Sequence, residues 1–487
     1  EGPLMVRPLA ILRALGWFLV VLAATMAVPI LWGLAWRTGG WMPLVQGAGI
    51  TALAGGALAV IGRRAPRELG QREALLLVVL VWFAAAVFGG LPFLFSPQYA
   101  GFTDAFFEAA SGFTTTGATI LADVEVLPEP IQFWRCFSHW IGGMGIVLLV
   151  IAILPVVGHG GMLLYRAEFS GARSDRLKPR IAETALALWK IYVALSIAEF
   201  VALRLAGMRP FDAICHTFAT LGTGGFSTKT ASVGAFQSPA IEWIIAIFMF
   251  LAGMSFIQHY RLFRERQWRG VVRDYEIRAY TLLVVLSTAV IAASLVWQTG
   301  YGVERAVRGA AFQVASIATT TGFTSENYEL WSPLGHVVLL LLMYIGGCTG
   351  STAGGIKVSR AVMLAGVVSR ELKRIVERRG VFTVRLGGQA IPEPVVQSVL
   401  NLVYLALLVN AAGMLLLAAA GVDVLTSITA VVACMFNIGP GLGLVGPAEH
   451  YGHLPALAKW VLSVAMIAGR LEFYTFVAIL APAFWRR

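Results

Sequence analysis

Apolar runs long enough to cross a bilayer recur along this chain, and a composite pattern repeats with them. Two runs come first, Ala10–Trp36 and Met42–Gly62, each predicting one spanning helix. The same unit then follows four times. It comprises a long apolar helix, about ten residues of amphiphilic helical pattern, a Gly/Thr-rich loop and a second long helix. The units run over Glu73–Val157, Ile181–Arg261, Arg278–Arg370 and Glu393–Trp485. The chain thus divides into a two-helix unit (5–72) and repeats 73–180, 181–277, 278–392 and 393–487, the third with a broken second helix. The segment before Met5 is set aside. Leu9–Trp36 is too long for a signal-peptide core and lacks a small-residue cleavage site.

The loops align on one glycine. They read Asp104-AFFEAASGFTTTG-Ala118, Asp212-AICHTFATLGTGG-Phe226, Gly309-AAFQVASIATTTG-Phe323 and Thr426-SITAVVACMFNIG-Pro440. The shared glycines are Gly117, Gly225, Gly322 and Gly439, spaced 108, 97 and 117 residues apart. In this register Phe107 matches Phe312, and Ser111 matches Ser316. An internal repeat of this period is the signature of one supersecondary unit used four times.

Composition agrees with a membrane-embedded chain: 58% of residues are hydrophobic, 13% are charged and mean hydropathy is +0.77. The four cysteines (Cys136, Cys215, Cys348, Cys434) form no CxxC and read as small buried apolar residues. The seven histidines show no metal-ligand spacing. The net charge of +11 is a topology signal and not a nucleic-acid signal. Residues 63–73, 158–182, 259–278 and 357–385 hold 23 Lys/Arg, whereas the loop regions 96–133, 207–240, 299–334 and 421–455 hold four. The positive-inside rule puts the first set in the cytoplasm and brings every Gly/Thr loop in from outside. The four repeats are therefore parallel. The expected fold is an all-α polytopic membrane protein, with two N-terminal helices and four parallel helix–pore loop–helix repeats around a pseudo-fourfold central pore.

The amphiphilic segments are too short to cross and read as re-entrant pore helices. Four loops around one axis would place backbone carbonyls in a ring able to replace the hydration shell of a cation. The helix C-termini, with their partial negative charge, would point at the ion. Glycine lets carbonyls turn toward the axis, and threonine stiffens the loop. The candidate filter is Thr115-Thr116-Gly117, Thr223-Gly224-Gly225, Thr320-Thr321-Gly322 and Asn437-Ile438-Gly439. One such motif alone also suits a helix cap or a packing patch; four in register on one side do not. Asp104, Glu108, Asp123, Glu125, Glu129, Asp423 and Glu449 suggest an acidic vestibule, with Asp104 and Asp212 read first as caps of their pore helices.

The second helix of the third repeat carries Gly346, Gly347, Gly350, Gly354 and Gly355 between Leu339 and Arg360, and is expected to break near mid-membrane. It is a candidate gate, or else a close-packing face. Arg470, inside the last apolar helix, is a candidate gate or barrier element able to pair with carbonyls of that break. A structural interhelical pair is the other reading, and Glu472 is expected to face elsewhere. Lys190, Glu199 and Arg204 read as packing or interface groups.

The loops TTTGAT, TGGFST, TTTGFT and NIGPGLG, the glycine-rich break and the terminal GRLE at Gly469–Glu472 together resemble the Trk/Ktr/HKT superfamily of potassium transporters. With its two extra N-terminal helices the chain is most similar to the TrkH type, over nearly its whole length. The resemblance implies passage of K⁺, usually with Rb⁺ and against Na⁺, through filter glycines falling on Gly117, Gly225, Gly322 and Gly439. It also implies an intramembrane gate loop at Gly346–Gly355 and a pore arginine at Arg470. It further implies a homodimer in the bacterial inner membrane and a cytosolic TrkA-like ring that binds nucleotide (ATP/ADP or NAD/NADH), with K⁺ the only ion held, at the filter. The basic cytoplasmic face would suit that ring or anionic lipid. Gly224 departs from the threonine of repeats one and three. A K⁺:H⁺ or K⁺:Na⁺ symporter on the same scaffold is the alternative. The K⁺-binding subunit of an ATP-driven pump is disfavoured by GRLE and the N-terminal pair. An intramembrane enzyme using His139, His216 or Glu108 lacks any nucleophile–base spacing.

Overall fold

The computed structural model describes residues 7–66, 69–153, 181–378 and 380–485. The expected end of the first repeat at Val157, and most of the basic stretch 158–182, lie outside the described residues.

The N-terminal pair is Pro8–Ala35, bearing Pro29, and Met42–Ile61. The two helices meet through glycine: a β-carbon on Gly16 would overlap the backbone of Ala59, and one on Gly55 would overlap the Gly16 carbonyl. Small residues let helix backbones approach where lipid offers no hydrophobic drive. This pair packs on the outer helix of repeat one, Gln71–Gly89.

Each repeat then supplies an outer helix, a short pore helix and an inner helix. The outer helices of repeats two to four are Ile181–Leu205, Tyr275–Thr299 and Glu393–Ala419. The pore helices are Phe102–Phe113, Pro210–Leu221, Val303–Ala318 and Val424–Met435. A 12-residue helix is about 18 Å long, well short of the ~30 Å hydrocarbon layer. The pore helices are also the most buried elements; every residue from Ala105 to Phe113 is buried.

The inner helices differ from expectation. Repeat one has an unbroken Glu129–Ile153. Repeat three is interrupted between Pro333–Leu342 and Val358–Val376, as its glycines predict. Repeats two and four, expected to be continuous, are broken as well. Pro239–Ala252 turns by 100° into Phe256–Phe263, and Ala456–Arg470 turns by 113° into Tyr474–Leu480. At the second bend Glu472 and Phe473 both have positive φ, 53° and 58°. Gly253 makes the first bend: its carbonyl accepts from the Cys348 N–H at 2.8 Å, so the inner helix of repeat two ends against the broken segment of repeat three. Among the described residues six helices qualify as spans by length and apolarity, or eight with each bent pair counted as one.

Candidate ion pathway

The four pore helices end in the same way. In repeat one the N–H of Thr115 donates to the Gly112 carbonyl at 3.1 Å and that of Thr116 to Ser111 at 2.8 Å. The equivalents are Thr223 to Thr220 and Gly224 to Ala219, Thr320 to Ile317 and Thr321 to Ser316, then Asn437 to Cys434 and Ile438 to Ala433. These are four Schellman caps, whose turning residue must be left-handed. That residue is Thr115 (φ 56°), Thr223 (53°), Thr320 (54°) or Asn437 (58°). A β-branched residue there costs on the order of 1–3 kcal/mol. The cap suits the asparagine of the fourth repeat, which tolerates this conformation, whereas the threonines of the other three hold it under strain.

The register glycines are left-handed too: Gly117 (φ 84°), Gly225 (77°), Gly322 (84°) and Gly439 (100°). A β-carbon on Gly117 would overlap the Gly224 carbonyl oxygen, and one on Gly225 that of Thr321. Likewise Gly322 faces the Ile438 carbonyl, and Gly439 faces that of Thr116. Each glycine therefore touches the next repeat, in the order one, two, three, four and back to one. Twelve residues placed in register by sequence form one closed ring of backbone. Thr115, Thr116, Thr223, Thr320, Thr321, Asn437 and Ile438 are buried, while Gly117, Gly225 and Gly322 are partly exposed.

Hydroxyls and amides brace the ring from behind. Thr114 and Thr116 share a hydrogen bond of 2.8 Å, and Thr319 and Thr321 one of 2.7 Å. Asn437 Nδ2 donates to Thr116 Oγ1 and to the Met466 carbonyl, both at 3.0 Å.

The broken segment 343–357 lies beneath this ring. A parallel bridge joins Ile345 to Ile356 at its neck, and Gly346 packs on the Gly354 carbonyl too tightly for any β-carbon. The Gly354 N–H donates to the Thr320 hydroxyl at 2.6 Å, and Gly354 also abuts the Phe436 carbonyl. Thr352 Oγ1 donates to the Leu221 carbonyl, the last residue of pore helix two, at 3.0 Å. Gly350 accepts from Phe256 at 3.0 Å, and a β-carbon on Gly347 would overlap Gly253. Gly350 and Gly355 have positive φ, 77° and 67°. The segment thus touches three of the four repeats directly below their loops. Glu276 Oε1 accepts from Thr349 N–H at 2.6 Å and from Ser359 N–H at 3.2 Å, tying the segment to the start of the third outer helix.

Arg470 is buried and holds no carboxylate partner among the described residues. Its Nη1 donates to the Thr352 carbonyl at 3.0 Å and its Nη2 to Gly142 at 3.5 Å. It spans from repeat four to the broken segment and to the inner helix of repeat one. Glu472 faces elsewhere, onto Arg360 at 2.5 Å.

Several charges sit differently from expectation. Neither Asp104 nor Asp212 caps its helix. Both lie inside the first turn; Asp104 pairs with Lys459 at 2.7 Å, and Asp212 accepts from Thr228 at 2.6 Å. Asp423 is the true cap, accepting from Thr426 N–H at 3.0 Å. Glu108 is no vestibule charge: it is fully buried and paired with Arg135 at 2.5 Å. Asp123 and Glu125 are exposed at the outer mouth. The Thr230 hydroxyl and the Glu125 N–H hold the Asp123 carboxyl below the usual carboxylate range. Lys190 and Arg204 are exposed on the outer helix of repeat two, whereas Glu199 is wholly buried. His139 bonds the Gly112 carbonyl of the first pore helix and the Phe226 N–H of the second loop, and His216 bonds the Ser227 hydroxyl.

Comparison with known proteins agrees over nearly the full length. The family model TrkH, described as a cation transport protein, matches residues 44–486. The Trk system potassium uptake protein TrkH of Escherichia coli K12 is 42% identical over 483 residues, 98% of this chain and 99% of the relative. That of Vibrio parahaemolyticus is 43% identical over 486 residues, with the same coverage. The crystal structure of the potassium transporter TrkH from Vibrio parahaemolyticus superposes with a TM-score of 0.89 at 41% identity, covering 99% of this chain and all of that one. A multi-pass inner-membrane protein of transport and not of catalysis, the chain belongs to the TrkH family of cation transport proteins.

Proposed function

We propose that the chain takes up K⁺ through the ring formed by Thr115–Gly117, Thr223–Gly225, Thr320–Gly322 and Asn437–Gly439, passing K⁺ and Rb⁺ ahead of Na⁺. The observation that carries this reading is the closed contact of each register glycine with a carbonyl of the next repeat. Such a ring presents carbonyl dipoles to a dehydrated cation, and the pore-helix C-termini add partial negative charge. The relatives named as potassium uptake proteins support the choice of ion. Driving force comes from the membrane potential, ~2.3 kcal/mol per charge per 100 mV.

The gate in this reading is the 343–357 segment with Arg470. The segment hydrogen-bonds a filter threonine from below, and the arginine pins it by the Thr352 carbonyl. A fixed positive charge under the ring opposes a cation until the segment moves. We assign that movement to a cytosolic nucleotide-binding subunit docked on the basic inner face of a homodimer. The test is K⁺ and Rb⁺ flux into liposomes with and without that subunit; identical flux in both would remove the regulatory part.

One observation favours proton coupling as a second reading. Glu199 is fully buried in the second outer helix, with no hydrogen-bond partner for either carboxylate oxygen among the described residues. An intramembrane carboxyl of this kind is a candidate proton carrier. Uptake that requires an inward proton gradient and is lost in Glu199→Gln would establish symport; uptake indifferent to both would leave the channel reading.

A further inference from the structure

Four carbonyls of the ring stand against a register glycine, but they are not equally supported. In repeats one and three, the residue before the register glycine is a threonine braced by a second threonine two positions earlier. In repeat two those two positions are Gly222 and Gly224. Gly224 does not have positive φ, so its backbone would accept a side chain. What forbids one is His139: a β-carbon on Gly224 would overlap the imidazole ring, and one on Gly222 the His139 backbone carbonyl. One residue on the inner helix of repeat one thus fills the space that two threonines fill elsewhere.

His139 is also bonded on both sides. Nδ1 lies 2.8 Å from the Gly112 carbonyl oxygen, which only accepts, so Nδ1 carries the proton. Nε2 is then a free acceptor and receives the Phe226 N–H at 3.2 Å. The ring bridges the pore helix of repeat one to the loop of repeat two. One turn back on the same face, Arg135 Nη1 donates to the Ser227 carbonyl at 3.0 Å, and its guanidinium lies 3.6 Å from the Phe226 ring centre. Glu108 fixes that arginine at 2.5 Å. In front of His139, the Gly224 carbonyl stands against Gly117.

We propose that His139 is a positioning residue for ion selection, holding the Gly224 carbonyl at its place in the ring across the boundary between repeats one and two. This rests on the filter reading above. A ring with one unsupported carbonyl keeps its fold and its ion path but relaxes toward the smaller cation.

The experiment measures K⁺ and Na⁺ flux separately in liposomes holding the full chain, for wild type, His139→Ala, Gly224→Thr and the double variant, each checked for a single elution peak and for heat stability. His139→Ala is expected to lower the K⁺:Na⁺ ratio about tenfold, the weight of one good buried hydrogen bond. Gly224→Thr alone should cost about tenfold or more in K⁺ flux through the clash with the ring. The double variant, with room for the threonine, should recover to within about threefold of wild type, a non-additivity expected of residues in contact. Should Gly224→Thr not fold, a folded double variant is the same rescue, and a double that also fails to fold counts against the proposal. Should His139→Ala not fold, His139→Gln, which keeps an acceptor for Phe226, replaces it and must hold the wild-type ratio within about threefold. An unchanged ratio in His139→Ala, or a double variant as poor as the two singles combined, overturns the proposal. A wild type that does not prefer K⁺ instead overturns the filter reading beneath it.

Discussion

Asn437 Nδ2 donates to Thr116 Oγ1 across 3.0 Å, joining residues 321 positions apart and closing the ring between its last repeat and its first. The same amide holds the Met466 carbonyl of the fourth inner helix, so it ties two repeats of the ring to the scaffold at one point. Asn437→Ala removes both bonds and also puts a residue less tolerant than asparagine at the left-handed position of the Schellman cap. It should lower K⁺ preference over Na⁺ by about three- to tenfold, in keeping with one or two lost buried hydrogen bonds. Asn437→Thr, matching the other repeats, should keep the cap but not the bridge, and fall between. Paired Rb⁺ and Na⁺ flux measurements check both.

Removing Arg470 takes a fixed charge from beneath the ring and frees the Thr352 carbonyl it holds. Arg470→Ala should raise K⁺ flux several-fold without the regulatory subunit, with the K⁺:Na⁺ ratio little changed. Flux in Arg470→Ala at or below the wild-type level would move the barrier elsewhere.

Glu472 and Arg360 couple the bend of the fourth inner helix to the helix that follows the broken segment, at 2.5 Å. Breaking a largely buried pair by neutralising one partner costs roughly 3–5 kcal/mol. Glu472→Gln should therefore lower the unfolding temperature of purified protein and raise basal flux. A double-mutant cycle with Arg360→Gln separates the pair from each residue's other contacts.

Much of this was legible in the sequence, and the reason is periodicity. Four loops with one glycine in common can be registered without a structure, and the register places Gly117, Gly225, Gly322 and Gly439 in one ring. The glycine-dense break at Gly346–Gly355 was legible because its cause is local. What stayed hidden depends on distant partners. The bend at Gly253 is made by Cys348 of another repeat, and Asp104 looks like a cap until Lys459, 355 residues away, takes its carboxylate. Glu108 counts as a loop charge until Arg135, just past the loop, is seen to bury with it. His139 carried one signal, a histidine in an apolar helix opposite the one repeat with glycine in place of threonine, but only the fold brings the two together.

Asp423 offers a check on the helix caps themselves. Its side chain accepts from the Thr426 N–H, and the hydroxyl and N–H of Thr426 hold its carboxyl below the usual carboxylate range. A depressed carboxylate stabilises the fold above its unfolded-state value, and this is lost as pH falls through the folded-state value. Asp423→Asn should keep most of the cap and Asp423→Ala lose about 1 kcal/mol of it. The difference in unfolding temperature between wild type and Asp423→Ala should hold at neutral pH and shrink in acid.

The central claim is that the register glycines form the selecting ring, and Gly322→Ser tests it most directly. At φ 84°, facing the Ile438 carbonyl with no room for a β-carbon, this position tolerates a side chain only by displacing that carbonyl. The measurement is the ratio of K⁺ to Na⁺ flux into liposomes for wild type and Gly322→Ser, without a proton gradient. The account predicts K⁺ preference in the wild type and its loss in the variant, with flux remaining. A folded Gly322→Ser that keeps the wild-type ratio would contradict it.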